Sequence, residues 1–248
     1  MNTELKDIPR LVQLAFALEP IPDKEGCTTR YKGVVDNLKL EYFIASAINI
    51  RPAVKKLVRR VSKEFPQTTY DLLMQAFVES HKNRAGKRIN TGMLEMIWPI
   101  LIACVIFEDK DFESILNRVK SVIALTTPED TIWVQAACNF SYELWDGHKG
   151  RSETINLELD NIHEVYEYKR ALIKGRPPYF CDEVLKGFPT LRYFDLVYDK
   201  EISFSSAQAS VYKKGREYMQ DLVPAGQIAD LLAIYTFLLF WCYDYKIT

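Results

Sequence analysis

Apolar residues recur every three or four positions along nearly the whole chain, and strict alternation is scarce. That is the spacing of helices that bury one face. Ile8, Leu11, Val12, Ala15, Phe16 and Leu18 make the first such face, and Pro20 ends it. A second stretch from about Leu38 to Phe65 carries Tyr42, Phe43, Ala45, Ala47, Ile48, Val54, Leu57, Val58 and Val61, with Pro52 placed to kink or split it. Tyr70 to Ser80 is a shorter amphipathic helix, Met93 to Phe107 is apolar almost all round, and Phe112 to Ile123 repeats the stripe. Thr127-Pro-Glu-Asp130 then supplies an N-cap, a Pro at the first helical position and two acids in the first turn of a helix that should run to Trp145. The polar stretch from Asp146 to about Thr154 reads as a loop and the one candidate hinge. Further helices follow at about 160 to 173, 179 to 186, 188 to 199, 204 to 222 and 226 to 245. With no fixed-period repeat and no Pro/Ser-rich linker, the expected fold is all-α: one bundle-like domain of about ten helices over residues 1–248.

Composition narrows the picture only a little. A length of 248 residues suffices for a single large core without disulfides or metals as staples. The formal net charge of -1 leaves no overall field for nucleic acid or an anionic membrane, so nucleic acid is disfavoured as a partner. Lys55, Lys56, Arg59, Arg60 and Lys63 cluster, but on a helix face that reads as solvated surface. The five cysteines are scattered, odd in number and mostly set in apolar runs, which points to buried reduced thiols. No Cys-x-x-Cys pair accompanies the three histidines (His81, His148, His163), so a structural zinc site is not expected. The N-terminus lacks the order of a signal peptide, and the longest apolar run, Leu231 to Cys242, is twelve residues against the roughly 20 a spanning helix needs. The reading is a cytoplasmic protein with no membrane partner.

Signatures of nucleophilic hydrolases, P-loops, dinucleotide-binding folds and zinc proteases are missing. Two loops stand out instead. Lys24 to Asp36 combines two glycines, cations and small hydroxyls ahead of a helix; His81 to Gly92 carries four cations and no acid and opens the most apolar helix. Backbone N–H groups at a helix N-terminus beside Lys and Arg suit a phosphate, and a solvated basic turn is the bland alternative.

Leu18-Glu19, Lys24-Glu-Gly26, Arg30-Tyr31, Asp36 and Phe43-Ile-Ala-Ser-Ala-Ile-Asn-Ile-Arg-Pro52 resemble the opening of the triphosphoribosyl-dephospho-CoA synthase family. Gly86-Lys-Arg-Ile-Asn-Thr-Gly92, with Pro99 seven residues on, falls in register with that family's Gly-Thr-Asn-Thr-Asn-Leu-Gly, and Thr127-Pro-Glu-Asp130 and Val184 to Leu191 match its later motifs. The resemblance implies an all-helical transferase that joins ATP to 3'-dephospho-CoA and expels adenine. Displacing a nucleobase at an anomeric carbon requires cations or Mg²⁺ for the triphosphate and a carboxylate near the oxocarbenium-like centre or the attacking hydroxyl. It implies Glu19 and Asp36 as the carboxylates. Carried over as phosphate- or nucleotide-binding are Lys24, Gly26, Arg30, Gly86, Asn90 and Gly92, with ATP as substrate; from the residues themselves, Lys87 and Arg88 are placed to grip phosphates, Tyr31 to touch an adenine, and Mg²⁺ is a candidate ion.

The departures define an alternative. Lys-Pro-Gly-Asn-Val of the family stands here as Lys24-Glu-Gly-Cys-Thr28, its first Asn-Thr as Arg88-Ile89, and its Gly-Leu-Gly after the fifth helix as Asp146-Gly-His-Lys-Gly150. A divergent helical scaffold that binds a nucleotide or a protein partner, without catalysis, fits the same residues, and a homo-oligomer stays open. The transferase reading expects the two loops to meet at one end of the bundle; the scaffold reading expects a collapsed pocket between them.

Overall fold

The computed structural model describes residues 4–35, 38–82, 89–143, 158–172, 179–220 and 223–247. The fold is all-α. A 3₁₀ turn, Glu4–Asp7, leads into α1 (Ile8–Leu18), and a hairpin of two-residue strands follows, β1 (Val34–Val35) and β2 (Leu38–Lys39). Then come α2 (Leu40–Asn49), α3 (Arg51–Val61), α4 (Tyr70–Ser80), α5 (Thr91–Phe107), α6 (Phe112–Ala124) and α7 (Pro128–Glu143). The second half is α8 (Ile162–Leu172), α9 (Tyr179–Lys186), α10 (Pro189–Val197), α11 (Phe204–Tyr218) and α12 (Ala225–Tyr243). The stretch expected to be helical from Leu38 breaks at Ile50, one residue before α3 places Pro52 in its first turn, where the missing N–H costs nothing. The hairpin is the departure from the helical reading: Val34 pairs with Lys39 and Val35 with Leu38, antiparallel, before α2 begins at Leu40.

Helices α5 and α12 cross the centre, with residues apolar on every side and nearly all buried. They carry no amphipathic stripe because neighbours surround them: α12 packs on α1, α5, α10 and α11, and α5 on α3, α4, α6, α9 and α12. At 19 residues α12 is long and apolar enough to cross a bilayer, yet most of it lies inside the fold, where it forms the core. The buried apolar residues of all these helices join in one contiguous cluster. The basic run on α3 lies opposite its buried face of Ala53, Val54, Leu57, Val58 and Val61, and Lys56 and Arg60 bond Gln75 and Asp71 on α4.

The start signal at Thr127 has a larger role than opening α7. Asp130, fully buried, accepts from Thr127 N (2.9 Å) and Thr127 Oγ1 (3.0 Å), and Thr127 Oγ1 accepts from Asp130 N, the reciprocal pattern of a capping box. Its other oxygen accepts from the backbone N–H groups of Thr69 (2.7 Å) and Tyr70 (2.9 Å). One carboxylate therefore caps both α7 and α4, two helices that pack closely along their lengths.

Candidate functional site

The chain after α1 turns back sharply. Cys27 N–H donates to the Lys24 carbonyl, Gly26 adopts φ +80, and Arg30 N–H reaches back to the Pro20 carbonyl at 2.9 Å. Tyr212 on α11 donates to the Glu25 carbonyl at 2.6 Å, and Thr28 Oγ1 ties the loop to the hairpin by bonding Leu38 O and Val35 N. A Cβ on Gly26 would stand 3.1 Å from Ala225 Cβ, so the loop presses against the start of α12. On the other side Asn90 enters α5 through a left-handed conformation, φ 58, and donates to Ser46 Oγ at 3.0 Å.

These contacts leave a cavity of about 460 Å³ between the Gly26–Thr28 turn, the hairpin, and the N-termini of α5 and α12. Val35, Leu38, Phe43, Ile89 and Ala229 form its apolar wall. Glu19, Asn90, Gln227 and Asp230 supply the polar one. Of these, Glu19 Oε2, Asn90 Oδ1 and Gln227 Oε1 are buried oxygens with no hydrogen-bond partner among the described residues. A buried acceptor without a donor costs about 1–3 kcal/mol, so three on residues that line one cavity single it out as the candidate site. Gly92 lets α5 approach α12: a Cβ there would lie 2.3 Å from Asp230 Oδ2.

Of the residues named from sequence, Glu19, Gly26, Asn90 and Gly92 line this one cavity. Lys24 does not. Its ammonium is buried and turned onto the Glu19 carboxylate and the Glu19 carbonyl, a buried ion pair in place of the phosphate grip expected for it. The nearest carboxylate, five residues back along a tight loop, claims the charge. Arg30 and Tyr31 point outward, the guanidinium bonded to the tyrosine hydroxyl and 4.6 Å from its ring centroid, with Tyr31 65% exposed. Asp36, Gly86, Lys87 and Arg88 lie outside the described residues, as do Trp145, His148 and the candidate hinge. Among the described residues no Lys or Arg lines the cavity. Gln227 and Asp230 were not singled out from sequence, although Asp230 is the one acid in the apolar run of α12 and so carries a signal. Cys27 also lines the cavity; burial pushes its thiol up against the opposing pull of Lys24, so it stands there protonated rather than as a nucleophile.

A hollow of about 620 Å³ lies between α1 and the segment after α12, and most of its charged groups pair with one another, Lys110 with Glu4 and Asp244 and Arg10 with Asp7. The described residues hold no group of three or more His, Cys, Asp or Glu side chains arranged for a metal ion. Compared with protein-family models, with curated proteins and with solved structures, the chain matches none.

Proposed function

We propose that the cavity between the Gly26 turn and the α5 and α12 N-termini binds the Mg²⁺-bound form of a nucleotide, and that the protein is a nucleotide-dependent transferase of the triphosphoribosyl-dephospho-CoA synthase type. The observation that carries this reading is the unpartnered Glu19 Oε2, buried beside Gly26, Asn90 and Gly92 in a space of nucleoside size. The acceptor-rich lining suits Mg²⁺, which takes oxygen ligands, keeps several waters and is held by one or two carboxylates together with substrate phosphates. Asp230 would hold the ion, with the Asn90 and Gln227 carbonyl oxygens beside it, and it would neutralise the triphosphate where no described cation lines the wall.

Lys24 fixes one oxygen of Glu19 and leaves the other to accept a proton from an attacking hydroxyl, or to face positive charge developing at the ribose. The backbone N–H groups that open α5 and α12 suit phosphate oxygens. The apolar wall suits the base and excludes water around it. The open cavity speaks for a small ligand over a scaffold that binds only a protein partner.

Incubation with ATP, Mg²⁺ and 3'-dephospho-CoA should release free adenine, followed chromatographically. Glu19→Gln should lower the rate by about 10²–10⁴, the range for losing a positioned proton acceptor. Absence of adenine, together with no change in melting temperature at millimolar Mg²⁺-ATP, would overturn the reading, since a ligand selective for the folded state must stabilise it.

A further inference from the structure

Where α5, α7 and α8 meet, three charged or polarisable side chains from distant parts of the chain are buried together. Lys169 Nζ on α8 lies 2.7 Å from Glu95 Oε1 on α5 and 2.7 Å from Cys138 Sγ on α7, and Cys138 Sγ is 3.7 Å from the same Glu95 oxygen. All three are about 5% exposed or less, and the ammonium also faces the rings of Phe180 and Tyr166 at 5.0 and 5.9 Å. The Tyr70 and Tyr166 hydroxyls are buried without partners among the described residues. Burial works against the charge on Lys169, but the Cys138 sulfur and then the Glu95 carboxylate overcome it and hold the amine well above the usual lysine range. The Cys138 sulfur accepts from the Lys169 ammonium, an arrangement that favours the thiolate once the thiol proton passes to Glu95, and the thiolate is the form that oxidants attack.

We propose that Cys138 and Lys169 are an oxidative modification site, at which a hydroperoxide, hydrogen peroxide being the simplest, converts the contact into a reversible S–N (sulfenamide) bond. The thiolate attacks one peroxide oxygen; the S–O bond forms, the O–O bond breaks, and the departing hydroxide takes a proton from Lys169 to leave as water. The amine so freed attacks the sulfenic sulfur at contact distance; the S–N bond forms, the S–O bond breaks, and the second hydroxide leaves as water with a nitrogen proton. Sulfur is oxidised by two electrons and one peroxide is reduced to two waters. A thiol reverses the bond, returning the amine. Glu95 is a positioning residue, accepting from Lys169 and aiming it at the sulfur.

Native protein treated with hydrogen peroxide should lose 2 Da by intact mass. Its tryptic map should show Cys138 joined to Lys169, with cleavage after Lys169 blocked and restored by dithiothreitol. Lys169→Arg keeps the charge but removes the nucleophilic amine, and should convert the loss of 2 Da into a gain of 16 or 32 Da at Cys138. A Cys138–Cys181 disulfide in the wild-type map, Cys138 found only as sulfinic or sulfonic acid, or Cys138 unmodified would each overturn the proposal. The wild-type map decides the matter even if the variant does not fold.

Discussion

One buried ion pair shows how far single residues organise this fold. Glu19 and Lys24 are buried with side chains only 4% and 0% exposed, so removing one partner strands the other's charge. Lys24→Ala should cost about 3–5 kcal/mol in urea unfolding, and Lys24→Met together with Glu19→Gln should recover part of it, because the pair removed together leaves no orphan charge. Sequence alone exposes Lys24 as a cation in a glycine-bearing loop but not the direction in which its stem turns. Pairing within five residues is decided by the tight Gly26 turn, which only the folded loop reveals. Asp36, Lys87 and Arg88 carry the same residue-type signal and lie outside the described residues. Glu95, Cys138 and Lys169 were invisible for another reason: each sits alone in its own helical pattern, and only tertiary packing brings α5, α7 and α8 together at that point.

Among the elements, periodicity located nearly every described helix, because most bury one stripe against a neighbour and end at recognisable breakers such as Pro52 and the Pro224–Gly226 pair. The β1–β2 hairpin escaped it: two-residue strands are too short to show alternation. The crossing of α5 and α12 rests on Gly92, whose missing side chain leaves room for the Asp230 carboxylate. Gly92→Ala should retain the fold but force Asp230 to rotate away from the cavity, reducing the thermal shift produced by Mg²⁺-ATP. A double-mutant cycle with Asp230→Ala should give a coupling of about 1 kcal/mol, and additivity would show that the two residues do not compete for space. Cys27 offers an independent gauge of the same cavity: a bound nucleotide should slow its alkylation by more than that of Cys104, which is buried in α5 away from the lining and is protected only through the stability of the whole fold.

For the molecule as a whole, burial sets the response to alkali. Burial raises the thiols of Cys104 and Cys181 well above their usual range and pushes Cys242 up to about 12. The hydroxyls of Tyr70 and Tyr166 are likewise driven up, again by burial first. In the unfolded chain the same thiols ionise near 8.5 and the tyrosines near 10, so above those values the unfolded state has shed protons that the folded state keeps. The stability these groups contribute is complete at neutral pH and lost as the pH climbs past about 8.5, so the urea midpoint should fall steadily between pH 8 and pH 10.5. A flat midpoint over that window would mean the thiols are reached by solvent. The all-α class and the order of the elements were legible because they follow from a repeating pattern; the placement of Asp130, serving helices whose starts lie about 60 residues apart, was not. That double cap has a kinetic consequence. A bond between such distant segments cannot form until the intervening chain has been closed into a loop, so it belongs to the late side of the folding barrier. Asp130→Asn should leave the refolding limb of a chevron nearly unmoved and raise the unfolding limb, shortening the lifetime of the native state rather than delaying its arrival.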